Sequence, residues 1–225
     1  MRRFSKKYGS IDVNCVCPDG KAGRTVYLLE PEKVVPGLED LVSTYSIAIV
    51  SVFGMDWDND LTPWPARNVF KKLPDFGGKA DDFQEYLESR IVPDVESEAG
   101  LDMAPGQRFL VGISLAGLFA LYSATRTAVF GRIASVSGSL WYDGFTEWLE
   151  GQDIPATIGK VYLSVGDQEK NSKNQRFASV EKETLRTKEI LEGKGIETFF
   201  ELNPGNHIAD GVPRLRKAIV SLLEQ

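Results

Sequence analysis

The chain carries one histidine, His207, and two cysteines, Cys15 and Cys17, in 225 residues. A single histidine excludes a His-rich metal centre and any helix of the His-Glu-x-x-His type. Any chemistry that needs an imidazole must run through His207. The cysteines stand one residue apart, a spacing that would strain a disulfide badly. They read as reduced thiols on or near a strand, which fits a reducing, cytoplasmic setting. A zinc site would also lack its usual set of about four N, S or O ligands. Positive charge is short as well: 26 Lys+Arg face 32 Asp+Glu, a net charge of −6. No basic face is therefore expected for nucleic acid or an anionic membrane. No apolar run approaches the roughly 20 residues that span a bilayer. The basic start, Met1 to Lys7, leads into no apolar stretch, so no signal peptide is expected. Repeats, low-complexity tracts and Pro/Gly-rich linkers are missing. So are the phosphate-binding patterns Gly-x-x-x-x-Gly-Lys-Ser/Thr and Gly-x-Gly-x-x-Gly.

What is present is an ordinary globular composition, 42% hydrophobic and 26% charged. The length allows a single domain over 1–225 with a full core. Short apolar runs at 25–29, 47–53, 108–113, 133–136, 161–165 and 198–202 read as strands. Their lack of polar alternation suits strands covered on both faces. Helical patterns lie between them, at 38–45, 82–98, 116–127, 177–191 and 215–223. The alternation predicts an α/β fold with a mostly parallel sheet and helices on both faces. Chemistry in such folds sits beyond the carboxyl ends of the strands.

One of those ends reads Val111-Gly112-Ile113-Ser114-Leu115-Ala116-Gly117. This is Gly-x-Ser-x-Ala, a variant of the nucleophile elbow. A sharp strand-to-helix turn strains the Ser backbone and demands small residues two before and two after it. Gly112 and Ala116 are small, and Gly117 adds clearance. The turn would lift the Ser114 hydroxyl to a helix N-terminus, where free amides favour a developing negative charge. The Leu115 amide is one expected oxyanion donor. The plainer reading of the same pentapeptide is a Ser capping a helix.

The partners of such a serine follow in the order Ser, acid, His. His207 lies after the last predicted strand, in Asn203-Pro204-Gly205-Asn206-His207. The acid is expected after Val165, in Gly166-Asp167-Gln168-Glu169. Either Asp167 or Glu169 could hold the imidazole tautomer. Glu169 is favoured, because the chain needs a few residues to clear the strand end. A Ser-His pair without an acid is the remaining option.

Together these segments resemble the esterase family of α/β hydrolases that includes the enterochelin (siderophore) esterases and esterase D-like enzymes. Gly112 to Tyr122 is similar to its elbow, and Ser135 to Asp143 to its Ser-x-Ser-x-Trp segment. The acid and His loops are similar too, and the likeness runs from about Thr25 onward. The resemblance implies an α/β-hydrolase fold without a large cap domain and a carboxylic-ester hydrolase with no metal or organic cofactor. It also implies a small-molecule ester as the substrate. Relatives often carry Gly where Ala116 stands. They also often read Leu-Asp-Gly where this chain has Leu29-Glu30-Pro31-Glu32, whose amide usually gives the second oxyanion donor. Pro31 has no N–H, so that role falls to Glu32. There is no room for the N-terminal substrate domain of the larger siderophore esterases, so the chain resembles the minimal catalytic form.

The stretch 54–67 is long, aromatic and stiffened by proline, on the catalytic side of the sheet. Trp57 and Trp64, with Trp141, either wall an acyl or aromatic pocket or simply cover the sheet edge. Arg67, with Lys71 and Lys72, is the one basic cluster in reach for an anionic substrate. Asp56, Asp58 and Asp60 alternate, but the Gly and distal Glu of an EF-hand are absent. The Trp-rich loop or an exposed edge strand could also serve a homodimer. The expected function is a serine esterase acting on siderophore-type or small acyl esters. The competing expectation is a non-catalytic binding protein on the same scaffold.

Overall fold

A computed structural model describes residues 1–31, 37–70 and 72–224. Among them the main sheet has eight strands: β1 (Arg2–Tyr8), β2 (Ile11–Cys17), β3 (Arg24–Leu29), β4 (Ile47–Phe53), β5 (Arg108–Ile113), β6 (Arg132–Val136), β7 (Lys160–Gly166) and β8 (Glu197–Asn203). Their spatial order is β1-β2-β4-β3-β5-β6-β7-β8. β2 runs antiparallel to both neighbours, and from β4 to β8 every pairing is parallel. The predicted strands all form. β1 and β2 were not foreseen as a pair, because β1 is mostly charged or polar and shows no apolar run. Gly9, at φ +64, turns the chain between them, in the left-handed region that glycine enters freely.

Parallel strands leave their flanking helices to cover both faces. α1 (Glu39–Tyr45) and α6 (Gly211–Leu223) cover one face. On the other lie a helix over 80–99, α3 (Leu115–Arg126), α4 (Phe145–Glu150) and α5 (Val180–Gly193). The helix over 80–99, α2 in this numbering, is interrupted by a π-helical turn at Leu87–Ile91. That turn shifts the helical phase. Phe83, Leu87 and Ile91 are buried, whereas Tyr86, one residue before that turn, is 38% exposed. Strand residues alternate between two separate cores. Tyr27 and Leu29 enter the α3 side, while Val26 and Leu28 enter the α6 side. The parallel strands end close to one level, with Leu29 opposite Gly112, Ile113 opposite Val136 and Asn203 opposite Gly166. Three loops that matter chemically therefore emerge along one edge.

Cys15 and Cys17 lie on β2, facing the α3-side core, and both are buried free thiols. Burial, with the neighbouring Cys17 adding to it, pushes the Cys15 thiol up to about 12. The native protein should therefore take up no iodoacetamide at pH 8, while the urea-unfolded chain takes up two equivalents by mass spectrometry.

Candidate active site

The strand-to-helix turn at Ser114 is strained, with φ +59 and ψ −124. A non-glycine residue there costs of order 1–3 kcal/mol and persists only where its surroundings fix it. Here they do. The Ser114 N–H donates to Val136 O at 3.1 Å, and the Ser139 N–H donates to Ser114 O at 3.0 Å. The turn also needs the small neighbours. A Cβ on Gly112 would lie 2.2 Å from Ala116 O, and one on Gly117 would lie 2.9 Å from Ser135 Oγ. The Ser114 hydroxyl is thereby held at the start of α3, 3.4 Å from the hydroxyl of Ser139. The Leu115 amide is the first of α3 and has no helical carbonyl one turn back to bond. Leu115 lines the same cavity as Ser114.

The acid and His loops are stitched to each other before either reaches Ser114. Asp167 N–H donates to Asn203 O at 2.8 Å, and Gln168 N–H to Gly205 O at 3.1 Å. Gly205 N–H returns a bond to Asp167 Oδ1 at 2.8 Å. Asp167 is thus engaged by backbone, and Glu169 is left to turn inward on the 3-10 turn Glu169–Asn171. His207 Nδ1 meets Glu169 Oε2 at 2.8 Å, and His207 Nε2 meets Ser114 Oγ at 3.0 Å. The structure therefore brings Ser114, His207 and Glu169 together from three loops, with Asp167 aside. Glu169 is buried, whereas the imidazole keeps 42% of its side-chain surface exposed, toward a cavity it lines.

Burial by itself pushes the Glu169 carboxyl up. The hydrogen bond and charge of His207, the Gly166 N–H at 2.7 Å and the Ser137 hydroxyl outweigh it, so the group sits below the ordinary glutamate value. Asp58, on the cavity wall, goes the other way: burial and then the charge of Asp56 raise it, against a hydrogen bond from Asn68.

The cavity in front of Ser114 holds about 640 Å³, within the range of small-molecule sites. Trp57, Phe76, Trp141 and Phe177 give it aromatic walls. Trp141 stands edge-on to Phe177 at 4.9 Å, with the Arg176 guanidinium 5.1 Å above its ring. Phe70 and Ile208, 57% and 88% exposed, form part of the lining at its mouth.

The model of the family described as "Putative esterase" matches residues 33–210. The chain belongs to that family. Among curated proteins it is similar to Uncharacterized protein YbbA of Bacillus subtilis (strain 168), 26% identical over 162 residues. That match takes in 70% of this chain and 65% of the relative, so the chain spans just under two thirds of its length. Among solved structures it is similar to an IroE-like serine hydrolase from Shewanella oneidensis (TM-score 0.82, 20% identity, 99% of this chain and 80% of that one). It is also similar to the siderophore hydrolase EstA from Aspergillus nidulans (TM-score 0.77, 19% identity, 99% and 93% covered). These likenesses give the esterase-family chain an α/β-hydrolase fold.

Two expected binding residues of this esterase-family chain are placed elsewhere. Trp64 does not line the cavity. Its indole N–H donates to Asp143 O at 3.0 Å, and its ring sits 5.5 Å from Trp148 and 6.0 Å from Tyr142, in an aromatic cluster. Arg67 is exposed and also off the lining; its carbonyl accepts from Arg176 at 2.6 Å. Trp141 and Trp57 do line the cavity. Glu32 and Lys71 lie outside the described residues. Phe70, Phe76 and Phe177 escaped the sequence reading as lining residues, and Ser139 entered it only within the Ser-x-Ser-x-Trp segment. Phe177 was assigned to the long helix that became α5, but it sits on the separate turn Gln175–Ala178, capped by Asn174. The described residues contain no group of three or more His, Cys, Asp or Glu placed to hold a metal ion.

A carboxylate whose pKa is lowered on folding stabilises the fold above its unfolded value and loses that effect as pH falls through its folded one. Thermal stability of the wild type should therefore fall more steeply below pH 4.5 than that of Glu169→Gln, read from melting temperatures across pH.

Proposed function

We propose that this chain is a serine hydrolase that cleaves carboxylic esters through Ser114, His207 and Glu169. The observation that carries the reading is the continuous hydrogen-bond chain from Glu169 to His207 to Ser114, at 2.8 and 3.0 Å, at the wall of a preformed cavity. Membership of the esterase family supports it independently.

The hydrogen-bond chain supports the following steps. Glu169 fixes the imidazole with Nδ1–H toward the carboxylate, leaving Nε2 as the acceptor for the Ser114 proton. Ser114 Oγ attacks the ester carbonyl, and its proton passes to Nε2. The resulting oxyanion takes the Leu115 N–H and, in this reading, the Glu32 N–H. The imidazolium then protonates the leaving alcohol, and the acyl group stays on Ser114. Water, deprotonated by the same Nε2, attacks the acyl-enzyme and releases the acid. Ser114's own amide is not available as an oxyanion donor, because Val136 O holds it.

The aromatic walls suit an ester with a flat or branched apolar portion, with Trp141 and Phe177 as its main contacts. EstA is a siderophore hydrolase, and siderophore-type esters are the finer reading for this cavity, with small acyl esters as the simpler one. Measuring kcat/KM over a panel of short p-nitrophenyl esters and an apo and a ferric trilactone siderophore separates these two. Ser114→Ala and His207→Ala should each lower kcat for p-nitrophenyl acetate by roughly 10⁴-fold or more, and Glu169→Gln by roughly 10²- to 10⁴-fold. A fluorophosphonate probe should label the wild type at Ser114 and leave Ser114→Ala unlabelled. Wild-type turnover in the Ser114 variant would overturn the proposal, and so would a wild type that the probe leaves untouched.

A further inference from the structure

Behind the Glu169 carboxylate lies a guanidinium that the steps above do not use. Arg214, in the first turns of α6, is 2% exposed and heads the fully buried side chains of the molecule by volume. It donates through Nη1 to Ser137 Oγ at 2.9 Å and stands 3.4 Å from Glu169 Oε1. Through Nη2 it donates to Pro204 O at 2.7 Å. One planar fork therefore touches the acid itself, the loop that carries His207, and the segment after β6 whose Ser139 holds Ser114. The backbone has made room for it. A Cβ on Gly166 would fall 2.9 Å from Arg214 Nη2 and 2.3 Å from Gly205 O.

We propose that Arg214 is a positioning residue of this hydrolase, clamping the Glu169 and His207 loops in register and placing a fixed positive charge beside them. The proposal rests on the active-site reading above. Desolvating an arginine is costly, and a buried ion pair by itself gives little net stability. Fold stability is thus a weak reason for a full guanidinium at this position. Geometry supplies a better one. Glu169 divides its oxygens, Oε2 to His207 and Oε1 to Gly166 N–H and Arg214. With Oε1 held on that side, the carboxylate can offer only Oε2 to Nδ1. A lysine is a point charge and cannot span Ser137, Glu169 and Pro204 from one plane.

The charge has a second consequence. The ionisable groups on the loops around the guanidinium are Asp167, Glu169 and Lys170 on the acid loop, the last paired with Glu181, and His207 and Asp210 on the His loop. On its own helix, Lys217 is engaged by Glu201 and Asn203, and Arg216 by Asp40. Ser137, from the β6 side, is not ionisable at working pH. Removing one buried positive charge beside the Glu169–His207 pair makes a bound proton on that pair more favourable. Activity needs the pair in its carboxylate–neutral imidazole form, so the acid limb of the pH profile moves upward.

The test compares wild type, Arg214→Met and Arg214→Lys as full chains, with p-nitrophenyl acetate as substrate. Arg214→Met should lower kcat roughly 10- to 100-fold with KM within about twofold, and move the acid limb of kcat/KM up by about one pH unit. Arg214→Lys keeps the charge and loses the fork, so its limb should stay within about 0.3 pH unit of wild type while kcat still falls about 10-fold. A purely structural role would lower the amplitude at every pH and leave the limb in place. An unmoved limb in folded Arg214→Met therefore overturns the proposal. If circular dichroism shows that variant unfolded, Arg214→Lys decides alone: wild-type kcat, or a limb displaced by a unit, overturns it. Failure of the active-site reading would look different, as an inactive wild type or an active Ser114→Ala.

Discussion

A serine backbone forced into the left-handed region at the end of a parallel strand is the constraint on which the rest of the site depends. At φ +59 the chain changes direction within one residue, and its hydroxyl leaves the sheet plane at the first turn of α3. Several unrelated-looking features of the sequence answer to that one torsion. Gly112 and Gly117 are bare because the strand and helix nearly touch. Ser139 sits where its amide can hold the Ser114 carbonyl. The last carbonyl of β6, at Val136, accepts from the Ser114 amide. Ser137 is itself at φ +44, so two successive loops along the sheet edge carry strain beside each other. Strain of this kind persists where packing and hydrogen bonds over-determine it.

Much of this was legible in the sequence. Buried parallel strands show as β-branched apolar runs, and all six such runs became strands. The elbow pattern is readable because crowding permits so few residue types around a sharp turn. The position of the acid was legible only as a choice between two carboxylates. The residue that meets His207 depends on what backbone contacts do to the other, and Asp167 is taken by the Gly205 amide. Such competition between side chain and backbone has no signature in spacing.

The failures have physical causes as well. Trp64 and Trp141 look alike in a one-dimensional reading, both aromatic and both in loops on the catalytic side. What separates them is a hydrogen bond: the Trp64 indole N–H finds Asp143 O and the ring is drawn into the cluster around Trp148. Tyr86 lies at the edge of the buried face of its helix, where its ring meets Tyr8 edge-on at 6.4 Å and stays 38% exposed. β1 was missed because its exposed residues are polar or charged and one of its half-covered residues is Lys6. In each case tertiary context set the outcome, and local composition carried no trace of it.

The sheet divides the interior into two cores that share no side chain, one under α3 and one under α6. Ser114 is anchored in the first and Arg214 in the second. The relay from Ser114 through His207 and Glu169 to Arg214 links the two halves. Catalytic output is then a gauge of mechanical alignment across the sheet. Softening deep in either half, far from any substrate, would register as lost turnover while the secondary structure still looked whole.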